Sequence, residues 1–266
     1  MSKLLNTTVI AGKQEFGVWH KNILPYVELH SFVQKWVATV IAHTKKNTKI
    51  TIIDIGCGNA TTTVPIIREF AKTEKQIEYL LLEPQLDALK EASNTIQKSK
   101  LASNVMCNYY EQNVEKMKIA EKVDGISCFF VLHFLPPSKM LRAVQNMYSL
   151  LKPGGFLVIA VPSIYDRKFL EVGENSTESE ITTKKLKQTM SVIQKLTNHG
   201  SSNKIFKGKK GFKHVMYFFT QPALEKLVTT AGFLVHKVIW EKEKNHSNRL
   251  PKKYMEILAV VVEKTS

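Results

Sequence analysis

The segment that most constrains the fold is ITIIDIGCGNA, at residues 50–60. Its first half is an apolar, β-branched run, which predicts a buried strand. Glycines at 56 and 58 then allow a tight turn, and residues 60–72 carry apolar side chains at helical spacing. A strand that turns through glycines directly into a helix is typical of the first unit of a parallel α/β sheet.

The following residues repeat this alternation. Strands are predicted at 77–84, 104–110, 123–132 and 156–162, with helices at 85–99 and 136–151, and after them a helix at 221–231 and strands at 233–240 and 255–263. The apolar runs are short and turn residues separate them, which favours strands joined by crossover helices. The pattern therefore predicts βαβ units and a mainly parallel sheet.

Two regions do not follow the alternation. Residues 15–45 read as one or two amphipathic helices, and residues 163–219 combine a polar acidic stretch, a helix-like segment near 181–197 and a lysine- and glycine-rich loop at 204–214. We therefore expect four parts: an N-terminal helical cap segment (1–47), a ligand-binding core (48–162), a substrate-lid insertion (163–219) and a C-terminal completion of the core sheet (220–266).

The net charge of +15 is concentrated in the flanks. Residues 50–162 carry 12 Lys/Arg against 11 Asp/Glu, whereas residues 200–266 carry 13 against 5. Such a field attracts phosphate-rich partners. Only four of the basic residues are arginine, the side chain best suited to bidentate phosphate recognition. The composition thus favours solvated surface lysine over a nucleic-acid footprint and leaves the second interpretation open.

Neither a membrane segment nor an oxidising compartment is indicated. No apolar run approaches the roughly 20 residues that a bilayer crossing needs, and the N-terminus lacks the features of a secretory signal. Cys57, Cys107 and Cys128 form no C-x-x-C pair, which is typical of free thiols in a reducing compartment. We expect a soluble cytoplasmic protein that does not bind a membrane.

Two acids stand at the ends of the first two predicted strands. Asp54 precedes Gly56 by two residues, and Glu83 ends the second strand, where a doubly wound sheet places the carboxylate that binds ribose hydroxyls. An unpaired acid in an apolar strand is costly, so Asp54 is expected to be functional. A nicotinamide-binding domain is disfavoured, because its third glycine position falls on Thr61.

These residues resemble the motifs of a known protein family. IDIGCGNA resembles motif I of the class I S-adenosylmethionine (SAM)-dependent methyltransferases, LLLEP resembles their ribose-binding strand end, and LLKPGGFLVIAVP is similar to their fifth strand and the turn before it. AGFLVHKV and YMEILAVVVEK resemble the last two strands. The resemblance covers about residues 48–162 and 220–263 and implies a doubly wound α/β sheet of seven strands. That sheet would be mostly parallel with an antiparallel last strand, helices on both faces and a helical cap.

The resemblance also implies a cofactor, SAM, and the residues that hold it. The methionine part would lie on Asp54, Gly56, Cys57 and Gly58, the ribose on Glu83 beside Pro84, the adenine near Asn113 and Val114, and the sulfonium near Phe129, Phe130 and Val131. One departure is Ala60, where many members have a third glycine. No metal site is expected.

Methyl transfer from SAM needs alignment above all, and a base only if the acceptor must lose a proton. Candidates for that base are His133, Tyr165 and His214, with Asp166 and Tyr217 close by in the chain. The sequence after the fourth strand, FFVLHF, lacks the Asn/Asp-Pro-Pro-aromatic motif of enzymes that methylate adenine or glutamine nitrogens.

We therefore expect methyl transfer to an oxygen or nitrogen atom of a small organic acceptor. The alternatives are an RNA or protein methyltransferase that uses the basic flanks, and a non-catalytic SAM-binding partner subunit. The oligomeric state does not follow from the sequence.

Overall fold

The computed structural model of the chain describes residues 27–45, 48–163, 201–207, 213–242 and 256–265. Its helices are α1 (Val27–His43), α2 (Thr63–Phe70), α3 (Leu86–Lys98), α4 (Pro137–Leu150) and α5 (Gln221–Thr230). Its strands are β1 (Ile50–Ile55), β2 (Ile77–Leu82), β3 (Val105–Tyr110), β4 (Val123–Phe129), β5 (Leu151–Pro162), β6 (Ser201–Lys207), β7 (Lys213–Phe219), β8 (Leu234–Lys242) and β9 (Glu256–Glu263). Short 3-10 turns follow β3, at Val114–Lys116, and β4, at Leu132–Phe134.

Seven strands form one sheet in the order β3-β2-β1-β4-β5-β9-β8. Strands β1 to β5 run parallel to one another, and β9 runs antiparallel between β5 and β8. The predicted seven-stranded, mostly parallel sheet with an antiparallel last strand is thus confirmed. Because β1 pairs with both β2 and β4, the strand order reverses there, and the crevice outside their carboxyl ends is where such sheets bind ligands.

Helices cover both faces of the sheet. Successive β1 residues alternate between two apolar cores: Ile52 packs in one with α1, α2 and α3, and Ile53 packs in the other with α4 and α5. Burial on both faces explains why the strands read as continuous apolar runs.

Helix α1 belongs to the first of these cores. Its Trp36 is buried, meets the ring of Phe70 edge-on at 5.5 Å, and donates its Nε1–H to the Phe156 carbonyl at 3.3 Å. A Cβ at Gly125 would come within 3.1 Å of this indole, so β4 has glycine where the helix lies closest. The described part of segment 1–47 therefore packs on the sheet; residues 1–26 lie outside the description, and the four-part division stays a prediction.

Two sequence predictions of secondary structure are wrong. Strand β4 ends at Phe129 rather than at residue 132, because Phe130 adopts a φ of +56° and the chain then forms the 3-10 turn. The expected loop at 204–214 is in part a hairpin: β6 and β7 pair antiparallel, with Phe206 opposite His214. An isolated bridge between Ser163 and Phe219 joins this hairpin to the end of β5.

The polar stretch 171–180 and the predicted helix near 181–197 lie outside the described residues. None of the helices that the structure describes has the length and apolar content that a bilayer crossing requires.

Candidate functional site

The turn after β1 is fixed to the neighbouring strand. The backbone N–H groups of Gly56 and Cys57 both donate to the Leu82 carbonyl at the end of β2, at 2.7 and 3.1 Å. Gly56 and Gly58 have φ values of +70° and +54°, in the left-handed region that favours glycine. The turn therefore needs a backbone conformation that residues other than glycine adopt only at a cost in free energy.

The two glycines face different surroundings. A Cβ added at Gly56 would lie 2.3 Å from Cγ2 of Val131, so the chain itself packs against this position. A Cβ at Gly58 would meet no atom within 4 Å. The backbone at Gly58 thus borders open space at the carboxyl edge of the sheet, where a ligand can approach it closely.

Asp54 lies beneath this turn and is only 3% exposed. The hydroxyl of Ser127 in β4 donates to Oδ1 at 2.8 Å, and the hydroxyl of Thr63, the first residue of α2, donates to Oδ2. Burial raises the pKa of this carboxyl to about 6, against the opposing effect of the two hydroxyl donors. Asp54 therefore links β1, β4 and α2 at the switch point of the sheet.

Glu83 stands beside the turn, directly after β2. Its Oε2 accepts a hydrogen bond from the Gly58 N–H at 3.1 Å, and its Oε1 accepts one from the Gln85 N–H at 3.2 Å. Burial raises the pKa of Glu83 to about 7; the charge of Asp54 adds to this, and the two backbone donors oppose it. The structure thus brings together the two acids and the Gly58 backbone around one crevice. Pro84, which follows Glu83, is exposed.

The 3-10 turn after β3 lies beside α4. Val114 is buried, and its carbonyl accepts a hydrogen bond from Asn146 Nδ2 of α4 at 3.1 Å. Lys139 and Glu115 form an ion pair of 3.0 Å between the same two elements. Asn113 begins the turn with its side chain exposed. The turn is therefore fixed to α4, with Val114 buried and Asn113 exposed.

The end of β4 and the residues directly after it lie next to the glycine turn. Phe129 and Phe130 are buried, and the Phe130 N–H donates to the Ala160 carbonyl of β5 at 2.9 Å. A positive φ in a bulky residue is uncommon and is concentrated at functional sites. It turns the chain so that Val131 packs on Gly56.

His133 is packed rather than exposed. It is 1% accessible, its ring centroid lies 3.8 Å from that of Phe134 and 6.3 Å from that of Phe130, and β7 runs against the same turn. His214 lies on β7, and Tyr217 of that strand is half-buried against the second core. Tyr165 and Asp166 lie outside the described residues. In the part of the chain that the structure describes, no three His, Cys, Asp or Glu side chains are grouped as a metal site requires.

Two residues of this arrangement were missed by the sequence analysis, Thr63 and Ser127. Each donates to Asp54 and is fully buried. A signal was present, because Ser127 is a polar residue between the apolar Ile126 and Cys128 of β4, and buried hydroxyls almost always have a partner. The sequence did not indicate which partner.

Comparison with known proteins supplies independent information. Residues 53–157 match the family described as a methyltransferase domain. These residues run from β1 into β5 and therefore include the turn, both acids and the end of β4.

Two curated relatives carry different activities in their names. O-methyltransferase 3 of Dictyostelium discoideum is 26% identical over 141 residues, which are 53% of this chain and 32% of that protein. A tRNA N(3)-methylcytidine methyltransferase of Schizosaccharomyces pombe is 27% identical over 130 residues, 48% of this chain and 42% of that one. The chain thus spans less than half the length of either relative.

Among solved structures, an enzyme of known substrate has a similar fold. It is the 1,6-didemethyltoxoflavin-N1-methyltransferase of Burkholderia thailandensis, crystallised with 1,6-didemethyltoxoflavin and S-adenosylhomocysteine. The TM-score is 0.57 at 16% identity, over 99% of this chain and 88% of that chain. At this identity the likeness shows the fold.

Proposed function

We propose that the chain is a class I SAM-dependent methyltransferase, and that it transfers a methyl group to an oxygen or nitrogen atom of a small organic acceptor. The observation that carries the proposal is the open space over Gly58, with the Glu83 carboxylate beside it. A glycine that no side chain covers, next to a carboxylate, suits a ligand that brings hydroxyl groups and a positive charge to that acid.

The turn and the two acids fit the methionine and ribose parts of SAM. We assign the methionine part to the backbone of Gly56, Cys57 and Gly58, with Asp54 supplying negative charge from beneath. We assign the ribose hydroxyls to Glu83, whose oxygens accept only backbone donors among the described residues. Pro84 would border this position on the exposed side.

We place the adenine beside the 3-10 turn after β3 and the sulfonium beside the end of β4. Val114 supplies a buried apolar surface for the adenine, and the exposed Asn113 supplies an amide at its rim. Phe129, Phe130 and Val131 would lie near the sulfonium, because they leave β4 next to the turn. Each of these roles is part of the proposal.

The proposed reaction requires little acid–base chemistry from the protein. When bound, the cofactor supplies an already activated methyl group, so the protein chiefly holds the acceptor in line and excludes water. His133 fits a positioning role, since its ring is packed between aromatic neighbours. It remains a prediction that one of His133, Tyr165 and His214 acts as a general base.

RNA is a second candidate acceptor, and two observations favour it. One curated relative is named for methylation of tRNA. The most basic segment of this chain, residues 200–266, includes the hairpin that runs against the turn carrying His133. Against RNA stands the apolar character of the end of β4, where Phe129 and Phe130 are buried and Val131 packs on Gly56; such surroundings suit a small organic acceptor better.

A labelling experiment separates these acceptors. Methyl-labelled SAM and the purified chain are added to a cell extract that is then fractionated into metabolites, RNA and protein. We expect label in the metabolite fraction with wild type and its loss with Glu83→Gln, which keeps the shape of the side chain without its charge. Label in the RNA fraction would replace the small acceptor with RNA. No transfer to any fraction would contradict the proposed activity.

A further inference from the structure

The Asp54 carboxylate has one hydroxyl donor on each oxygen. Thr63 and Ser127 are both 0% exposed, and they reach Asp54 from different elements, α2 and β4. The acid therefore lies in a closed polar cluster of three side chains beneath the Gly56–Gly58 turn.

Stability alone does not account for this cluster. Burying a carboxylate is costly, and well-packed apolar residues in place of a buried polar group are often neutral or stabilising. Burial already raises the pKa of Asp54 to about 6, and the two hydroxyls act in the opposite direction, toward the charged form. A cluster that preserves a buried charge at a binding crevice is better explained by a ligand than by the fold.

We propose that Thr63 and Ser127 are positioning residues for the cofactor: their hydroxyls keep the Asp54 carboxylate charged and fixed in one orientation beneath the glycine turn. The inference rests on the proposed function, because the partner of that charge is the sulfonium and ammonium of bound SAM. At low effective dielectric a fixed negative charge interacts strongly with a nearby cation, and preorganisation avoids the cost of reorientation.

The other titratable groups around Asp54 are few. Glu83 lies beside the turn, and Cys57, Tyr79 and Cys128 lie close enough for the charge of Asp54 to affect them. Burial raises the pKa of the two thiols and of the Tyr79 phenol, so these three stay neutral between pH 5 and 8.5. Among these four groups, Glu83 alone titrates in the same range as Asp54, and it is present in every variant below.

The test is the SAM affinity measured by calorimetry from pH 5.5 to 8.5. The variants are Thr63→Val, which keeps the shape and removes the donor, Ser127→Ala, and Thr63→Ser, which restores a donor. Thr51→Val is the matched control, because Thr51 is equally buried in β1 and makes no bond to Asp54. Thermal unfolding, followed by circular dichroism, verifies that each variant is folded.

We expect wild-type affinity to fall as pH falls through about 7 to 6, as Glu83 and Asp54 take up protons. In Thr63→Val and in Ser127→Ala the profile should move to higher pH by roughly one unit, since a hydrogen bond to a charged group is worth about one pKa unit. Affinity would then drop about threefold at pH 6.5, close to tenfold at pH 5.5 and hardly at all at pH 8.5. Thr63→Ser and Thr51→Val should follow the wild-type profile.

Unchanged profiles in both Thr63→Val and Ser127→Ala would overturn the inference. So would a loss of affinity that is equal at every pH, which is the result of a packing defect alone. If wild type binds no SAM at any pH, the proposed function fails and this inference fails with it, whereas unchanged variant profiles with normal wild-type binding overturn the inference only. If Thr63→Val does not fold, the smaller truncation Ser127→Ala decides.

Discussion

Three residues within five positions of the turn have a left-handed backbone. Gly56, Gly58 and Ala60 have φ values of +70°, +54° and +62°. For alanine this conformation costs roughly 1–2 kcal/mol, because its Cβ crowds the following carbonyl. Ala60 is thus strained, which explains in physical terms why many class I members have glycine at this position.

Relief of this strain should stabilise the protein. Ala60→Gly is expected to raise the free energy of unfolding by about 0.5–1 kcal/mol, the strain removed less the backbone entropy that glycine adds. Urea unfolding with an unchanged slope measures this. Ala92→Gly, inside helix α3, is the control and should lower stability by about 1 kcal/mol. Equal losses in both variants would contradict the interpretation of Ala60.

Alanine at the two glycines should separate folding from binding. Gly56→Ala places a Cβ 2.3 Å from Val131, so its melting temperature should fall sharply. Gly58→Ala meets no protein atom and should lose only about 1–2 kcal/mol from its backbone conformation. Its new methyl group would stand in the cofactor space, so SAM affinity should fall at least about tenfold, a change of about 1.4 kcal/mol. Normal SAM binding by Gly58→Ala would show that the cofactor lies elsewhere.

The sequence predicted the acids at the site better than their partners. Asp54 and Glu83 were identifiable because each ends an apolar strand, where a charged side chain is unusual. Thr63 and Ser127 were not, since their contact with Asp54 depends on how β4 and α2 pack on β1. Side-chain partners that are far apart in the chain do not follow from local patterns.

At the scale of elements, local periodicity determined most of the core. Strands β1 to β3 and helices α2 to α4 lie close to their predicted positions, because strong alternation of short apolar runs and amphipathic stretches specifies them. The end of β4 was missed, since the left-handed Phe130 has no sequence signal. The β6–β7 hairpin was missed because a segment rich in lysine and glycine reads as a loop, and pairing between strands is not a local property.

Helix α1 should contribute strongly to stability through one side chain. Trp36→Ala removes the contacts with Phe70 and Gly125 and the hydrogen bond to Phe156, and should cost about 3–5 kcal/mol in unfolding free energy. Trp36→Phe should cost less. As a matched control, Trp240→Ala in β8 should be milder, because that side chain is 48% exposed. Equal effects at the two tryptophans would contradict the placement of α1 in the core.

At the scale of the whole molecule, the buried carboxylates of the site lower the free energy of unfolding of the protein without ligand. The pKa values of Asp54 and Glu83 are raised from 3.8 and 4.5 to about 6 and about 7, chiefly by burial. An acid whose pKa is higher in the folded than in the unfolded state favours folding most at low pH. That contribution is complete below the unfolded-state pKa and is lost as pH rises through the folded-state pKa. A bound cation would offset this loss, so the cofactor and the fold are linked through these two charges.

This linkage predicts a pH dependence of stability without ligand. Between about pH 4 and 7 the wild type should lose about 3 kcal/mol more than Glu83→Gln, since each pKa unit corresponds to about 1.4 kcal/mol. The comparison between the two proteins cancels the effect of the net charge of +15, which they nearly share. Urea unfolding across this range measures the difference. If the unfolding free energies of the two proteins change in parallel with pH, the pKa of Glu83 is not raised in the folded state.

The most direct test of the account is a calorimetric titration of SAM into wild type and Glu83→Gln at pH 8, where the carboxylates are charged. Glu78→Gln is the control, because Glu78 lies near the start of β2, the strand that Glu83 follows, and pairs there with Lys49. The account predicts that wild type and Glu78→Gln bind alike and that Glu83→Gln binds at least about tenfold more weakly, a loss of about 1.4 kcal/mol, with its fold intact. Equal binding by all three proteins, or none by wild type, would contradict the placement of SAM at this crevice.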